Sequence, residues 1–277
     1  MNVYENHELK NKRLPFYFKK RVLGSNQSSL YANWHENIEL LFFTKGSATV
    51  FDNAQRFQIE ENGLFAIGAN SLHSISANQS DVEYSYLIVD RSFCIENGFD
   101  TSQLSFDCVV NNDRIRELMN RLASEFTCAD SLPFFTLRIR ATVLEIMMEL
   151  CIKHSKDVPD TENTSRSATC VKKAIAFIDG AFDRDLSLDE VAEFSGLDKF
   201  YLSHEFKKYT GQSFVTYLNQ VRCTAAAALL RESNLSIAAI GEKCGFSNRS
   251  YFAKCFLSKM GMTPSEYRRQ FASTAKG

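Results

Sequence analysis

The sequence predicts a two-domain α+β protein: an N-terminal β-barrel carrying two helices, then an all-α domain built as a double helix-turn-helix. Three observations predict it. The last third of the chain repeats one pattern about 49 residues apart. Residues 14–110 break into short runs rich in aromatic and β-branched side chains. Between these regions the apolar period changes from that of strands to that of helices, and a polar stretch follows.

Strand-like runs lie at residues 39–44, 48–51 and 84–89. Turn signals separate them: Lys45-Gly46-Ser47, Asp52-Asn53, Glu61-Asn62-Gly63 and Gly68-Ala69-Asn70. Short, closely spaced strands point to a sandwich or small barrel. From Asn111 the spacing of Ile115, Leu118, Met119, Leu122 and Phe126 marks one face of a helix. After Pro133 a longer helix runs to about His154 with two apolar stripes. One holds Leu137, Ala141, Leu144, Met148 and Cys151; the other holds Ile139, Val143, Ile146 and Leu150. One stripe packs on the barrel. The other needs a partner, and a second subunit is the natural one; the alternative buries both within one chain. Residues 156–167 contain one apolar residue besides proline and read as a linker. The expected divisions are 1–110 for the barrel with its N-terminal arm, 111–155 for the dimerisation helices, 156–167 for the linker and 168–277 for the helical domain.

That domain opens with a helix at 169–181 whose Val171, Ile175 and Ile178 share a face. Ser187-Leu188-Asp189-Glu190 is a capping box, in which serine accepts the amide of Glu190 and Glu190 reaches back. Leu188, Val191 and small Ala192 point inward, Gly196 makes the turn, and Tyr201, Leu202 and Phe206 anchor the next helix, which starts near Asp198. The second copy uses Ile237, Ile240, Gly241, Gly245, Phe252 and Phe256 in the same way. A helix at about 214–232 spaces the two copies. Thr263-Pro264-Ser265-Glu266 caps the last helix.

Charge and cysteine usage bound the function. Residues 168–277 hold 15 Lys and Arg against 11 Asp and Glu, whereas the rest hold 17 against 22. A mildly basic C-terminal part fits a polyanion partner. None of the eight cysteines lies in the close Cys-x-x-Cys spacing of a zinc or redox site. No run reaches the roughly 20 apolar residues of a membrane helix, and the N-terminus lacks a signal-peptide core. A cytoplasmic protein with reduced thiols and no membrane contact is expected. No serine or cysteine sits in a recognisable nucleophile motif, so no catalytic residue is assigned and the protein is not read as an enzyme.

Residues 170–270 resemble the DNA-binding domain of the AraC/XylS family of bacterial transcription regulators. The resemblance rests on residues 188–192, Tyr201-Leu202, Phe206-Lys207-Lys208, Gly211, Tyr217, Arg222, Ala225, Ile240, Gly245-Phe246, Tyr251-Phe252, Phe256 and the ending Gly261-Met262-Thr263-Pro264-Ser265-Glu266-Tyr267-Arg268. It implies that Lys199, Phe200, Ser203 and His204 of the first recognition helix, and Arg249, Ser250 and Lys254 of the second, read base edges. The family often has arginine where His204 stands, which leaves Arg249 or Lys254 as the better guanine reader. Lys207, Lys208 and Lys259 are assigned to phosphate, which gives affinity without sequence choice.

The N-terminal half more weakly resembles the cupin-like arm-and-barrel domain with which many family members sense small molecules. Residues 33–39 with Gly46 resemble the first cupin motif, and Gly63, Ile67 and Ser71-Leu72-His73 the second. In metal-binding cupins two histidines of the first motif, its glutamate and a later histidine converge on a metal. Asn33 replaces the first histidine here, leaving His35, Glu39 and His73. The reading taken is an effector site without metal or other cofactor. Trp34 stacks on the ligand, His35, Glu39 and His73 hydrogen-bond to it, and Tyr86 and Tyr31 are lesser candidates. A small polar effector such as a sugar fits that set. The expected protein is thus an effector-responsive activator whose partners are promoter or operator DNA, the effector, a second copy of the chain and RNA polymerase. The alternative is a metal-dependent cupin enzyme carrying a DNA-targeting module. A third reading gives the barrel only an oligomerising role.

Overall fold

The computed structural model describes residues 14–24, 32–78, 80–129, 132–157 and 166–272. The chain divides into two compact units.

The first unit runs β1 (Phe16–Leu23), β2 (Ile38–Lys45), β3 (Ala48–Asp52), β4 (Gln55–Ile59), β5 (Leu64–Ile67), β6 (His73–Ala77), β7 (Val82–Val89), α1 (Arg91–Glu96), β8 (Leu104–Phe106), β9 (Val109–Val110), α2 (Asp113–Thr127), α3 (Phe135–His154) and β10 (Ser155–Asp157). Its strands form an antiparallel five-stranded sheet ordered β1-β7-β2-β5-β9, a three-stranded sheet ordered β4-β3-β6, and a β8–β10 pair. Among the described residues no strand ladder joins the two larger sheets, so the expected barrel is realised as a pair of packed sheets.

Alternation decides what each sheet face does. Leu41, Phe43, Phe65, Ile67, Val82, Tyr84, Tyr86 and Ile88 cluster with Val50, Ile75 and Ala77 of the small sheet. The intervening Ile38, Leu40, Phe42, Leu64, Ala66, Leu87 and Val89 cluster with Ile115, Leu118, Met119 and Leu122 of α2 and Ile139, Val143, Ile146 and Leu150 of α3. The large sheet is therefore covered on both faces. That is why β2 is a continuous apolar run rather than an alternating one.

The two stripes of α3 have different fates. The Ile139–Val143–Ile146–Leu150 stripe is fully buried, whereas Leu137 is 68 % and Met148 51 % exposed. Among the described residues of the first unit the second stripe is only partly covered, Leu144 and Cys151 packing against the core. The N-terminal arm is expected to span residues 1–20; residues 16–20 instead belong to β1, which pairs with β7 from Phe16↔Val89 to Leu23↔Val82. Residues 1–13, the first part of the arm, and Tyr31 lie outside the described residues. Residues 156 and 157, expected in the linker, extend β10 against β8. The first helix of the second unit begins already at Arg166; residues 158–165 lie outside the described residues.

The second unit contains α4 (Arg166–Ala181), α5 (Leu188–Ser195), α6 (Lys199–Thr210), α7 (Phe214–Glu232), α8 (Ile237–Lys243), α9 (Arg249–Met260) and α10 (Pro264–Ala272). Each short helix has a side-chain cap at its start. Ser187 Oγ accepts from the Glu190 amide at 3.2 Å, Asp198 from the amides of Phe200 and Tyr201, and Asn248 from that of Tyr251. Only half of the first capping box forms, because the Glu190 carboxylate is taken by the Arg184 guanidinium. The last box is complete: Thr263 Oγ1 accepts the Glu266 amide and Glu266 accepts the Thr263 amide at 2.8 Å. Gly196 and Gly245 make the two turns with φ of 73° and 82°.

Candidate DNA-reading faces and effector cavity

In α6 the 3.6-residue period sends Leu202, Glu205, Phe206, Tyr209 and Thr210 inward. Phe200, Ser203, His204, Lys207 and Lys208 are left facing solvent, with Phe200 81 % exposed. Phe200 is thus no part of the core, whereas Phe206 and Tyr209 of the same helix are buried; Tyr201, expected among the anchors, is also exposed, at 48 %. Lys199 is half-buried and its ammonium lies 2.6 Å from Asp189 of α5. His204 Nδ1 lies 3.1 Å from the buried carboxylate of Glu205. In α9, Phe252 and Phe256 are buried while Arg249, Ser250 and Lys254 are exposed. Lys259 differs from the other assigned phosphate lysines. It is half-buried, and burial pushes its pKa below the usual lysine value.

The two reading helices are tied through α7, about 28 Å long at 1.5 Å per residue. Arg222 of α7 donates from Nε to Phe182 O and from Nη2 to Arg184 O, both at 2.8 Å, and lies over the Phe246 ring. Asn219 of α7 donates to the Tyr251 hydroxyl of α9 at 2.8 Å. α9 is thus fixed to α7 by a directional bond, the chain leading into the first helix pair is fixed to it by two more, and α6 meets α7 by packing of Phe206 on Tyr217. Sequence reading assigned Arg222 to the family pattern but gave it no role.

In the first unit, Arg21, Asn33, Glu39, His73, Ile75, Tyr84, Tyr86 and Ile88 line one cavity. Alternation along β1, β2, β6 and β7 brings most of them to the face between the sheets. Glu39, His73 and Tyr86 are where the sequence placed them. His35 reaches the same point from the loop before β2, its Nε2 lying 3.1 Å from Glu39 Oε2. His73 Nε2 lies 3.2 Å from the same oxygen. Trp34 is half-buried and does not line the cavity. Arg21 and Tyr84 were missed. Tyr84 shares its face with Tyr86 two residues on, a signal that period-2 reading offers. Arg21 arrives by its register opposite Tyr84, which no local pattern announces. Its guanidinium lies 5.4 Å from the centre of the Tyr86 ring.

All three central groups are buried. Burial opposes the charged form of Glu39, but the hydrogen bonds and charges of His35 and His73 outweigh it. The carboxyl is held far below the usual carboxylate range. For His73, burial opposes the imidazolium, yet Glu39, the Ser71 carbonyl and Asp52 together raise its pKa above the ordinary value. Among the described residues no helix is long and apolar enough to cross a membrane.

A tandem pair of helix-turn-helix units with solvent-facing second helices, together with a sheet domain enclosing a polar cavity, defines a ligand-responsive DNA-binding protein. Residues 24–147 match the AraC-like ligand binding domain and residues 191–270 the helix-turn-helix domain of these regulators. The chain belongs to the AraC/XylS family of transcription regulators. It is 33 % identical to the regulatory protein PocR of Salmonella typhimurium over 175 residues, 58 % of each chain. It is 26 % identical to the HTH-type transcriptional activator RhaR of Salmonella schwarzengrund over 244 residues, 84 % of this chain and 85 % of that one. Superposition on ToxT of Vibrio cholerae O395 covers 93 % of this chain and 98 % of that one, with 14 % identity and a TM-score of 0.47.

Proposed function

We infer that this regulator activates transcription at specific promoter sites in the cytoplasm when a small polar effector, a sugar first among the candidates, occupies the cavity. The observation that carries the reading is the pair of recognition helices. Each buries its aromatic anchors and turns polar and cationic side chains to solvent. Arg249, Ser250 and Lys254 of α9 and Lys199, Phe200, Ser203 and His204 of α6 contact bases; Lys207, Lys208 and, less freely, Lys259 contact phosphate. The activating sign is supported by the likeness to RhaR, and an activator works through RNA polymerase. The kinship with transcription regulators supports a protein that is not an enzyme.

Fluorescence titration of labelled promoter fragments against random duplex tests the DNA assignment. Arg249→Ala is expected to weaken the specific site by about 1–3 kcal/mol while leaving random DNA nearly unchanged. Lys207→Ala should weaken both alike and lower the salt slope by about one unit. Equal loss on both duplexes for Arg249→Ala removes it from base reading.

The open stripe of α3 supports pairing of two chains. Leu137 and Met148 stand in solvent while Arg114 and Arg121 of α2 hold the adjacent Glu145. Pairing places two reading domains on one DNA and raises their effective concentration for each other. A Leu137→Glu, Met148→Glu double variant is expected to sediment as a monomer where the parent sediments as a dimer. An unchanged sedimentation coefficient would assign the contact elsewhere. For the effector, a thermal-shift screen of sugars and small polar acids reads occupancy as a rise in melting temperature.

A further inference from the structure

We propose that Phe200 selects thymine: its ring packs on the 5-methyl group of a thymine in the major groove, and this apolar contact fixes the base beneath the first turn of α6. The choice rests on the base-reading assignment of α6 made above, and adds to it which base is chosen and by what chemistry.

In a helix-turn-helix the N-terminal residues of the second helix reach the base edges. Phe200 is the second residue of α6, two beyond the Asp198 cap. Its ring is 81 % exposed. The other exposed aromatic residues of this helix pair are held from the side. Tyr201 bonds through its hydroxyl to Ser167 Oγ at 2.9 Å. Phe194 stacks on Phe177 with ring centres 4.2 Å apart. Among the described residues the Phe200 ring has neither kind of contact. Exposed Ser203 and His204 follow it three and four residues on, so the ring stands at the N-terminal end of the reading face.

The chemistry of the ring decides the base. A phenyl group neither donates nor accepts a hydrogen bond. Pressed on the major-groove edge of guanine, adenine or cytosine, it strips water from N7, O6 or an amino group and replaces none of the lost bonds. Thymine alone presents an apolar group there, its 5-methyl. The ring therefore favours thymine and penalises the other three bases.

The polar neighbours leave this choice to the ring. Lys199 shares its ammonium with Asp189 of α5 at 2.6 Å, and His204 Nδ1 lies 3.1 Å from the Glu205 carboxylate. A base taking either donor competes with a carboxylate already in place. The Ser203 hydroxyl both donates and accepts, so it suits any base. The second copy reverses the arrangement. Where α6 has Lys199, Phe200 and His204, α9 has Arg249, Ser250 and Lys254. Arginine makes the paired contact to O6 and N7 of guanine. Two copies of one motif thus read different chemistry. The DNA site they share has a methyl-selected part under α6 and a guanine-selected part under α9.

The test removes a methyl group and nothing else. Footprinting of the full-length protein on a promoter fragment that it binds first defines the site. Each thymine of the footprint is then replaced singly by deoxyuridine, which pairs as thymine does but lacks the methyl. Affinities are measured by fluorescence titration for the parent, Phe200→Ala and Arg249→Ala. At one or two positions the parent should lose affinity about three- to fivefold, the worth of one buried methyl group. Phe200→Ala should bind the thymine and uracil duplexes equally at those positions, while Arg249→Ala keeps the parent's preference. Alanine at this exposed position leaves the core intact, and the scan of the parent needs no variant. A parent indifferent to every replacement overturns the proposal. So does a set of methyl preferences that all survive in Phe200→Ala. Both results leave the base-reading assignment standing, because that assignment fails only when the protein prefers no promoter duplex over random DNA.

Discussion

Gly245→Ala is expected to destabilise the DNA-binding unit by about 2–5 kcal/mol and to abolish tight binding to a site needing both recognition helices. Two effects add. The residue has φ of 82°, and forcing a side chain into the left-handed region costs about 1–2 kcal/mol. A Cβ there would also stand 2.5 Å from Phe182 O and 2.8 Å from Arg222 Nε. Those two atoms are bonded to each other, and they join the chain just beyond α4 to α7. The new methyl group would wedge that joint open, and overpacking of this kind costs about 1–3 kcal/mol. Gly196 is the built-in control. It has φ of 73°, but nothing lies within 4 Å of its would-be Cβ. Gly196→Ala should therefore lose only the dihedral part. Urea melts of both variants measure the difference, and equal losses would show that the joint tolerates the methyl group.

The same two glycines show why the second unit was readable from sequence. Each copy needs a cap, a small inward residue, a turn glycine and two large apolar anchors at fixed spacing, Leu202 and Phe206 in the first and Phe252 and Phe256 in the second, and few other residue types satisfy those demands. Ser187, Ala192, Gly196 and Phe206 recur as Ser236, Gly241, Gly245 and Phe256. The first unit gave fewer such marks. β1 buries only Phe16 and Leu23 at its ends, with exposed Lys19, Lys20, Arg21 and Val22 between them, so it lacks the run that identifies an inner strand. The sheet edge it occupies is defined by β7, some sixty residues away in sequence.

The cavity was legible in the same uneven way. Glu39 and His73 announce themselves as polar residues inside apolar strands, where burial demands a partner. Trp34 drew attention as the chain's one tryptophan, yet rarity carries no information about where a ring points. Arg21 could be found only once strand pairing was known. What sequence could not supply at all was how His35 and His73 are oriented: each sets its Nδ1 3.0 Å from a carbonyl, that of Asn37 or Ser71, and these are backbone atoms that any residue type provides.

The second large effect has the opposite sign. Asp179→Asn is expected to stabilise the DNA-binding unit by about 2–4 kcal/mol at pH 8 and to change little near pH 4. Asp179 lies in α4, only 6 % exposed, beside buried Ile178. Its Oδ1 has no hydrogen-bond partner. Burial pushes its carboxyl up to about 7, against roughly 3.9 for an unfolded aspartate. The folded chain therefore keeps a proton that the unfolded chain releases between about pH 4 and 7. Across that window the unfolded state binds fewer protons, so stability falls as pH rises, by up to about 1.4 kcal/mol per unit. Above 7 both states are charged and the penalty is complete. Asparagine has the shape without the titration, so the variant should hold its stability where the parent loses it. Melts of the full chain at several pH values read this directly. A constant difference between the two proteins from pH 4 to 8, or a variant less stable at pH 8, would mean that the carboxylate is solvated or paired when charged. The predicted slope also bears on DNA reading, because α4 packs against both helices of the first reading pair. A stabilised α4 should tighten that pair most at alkaline pH, and the variant's gain in specific affinity should follow the same pH curve as its gain in stability.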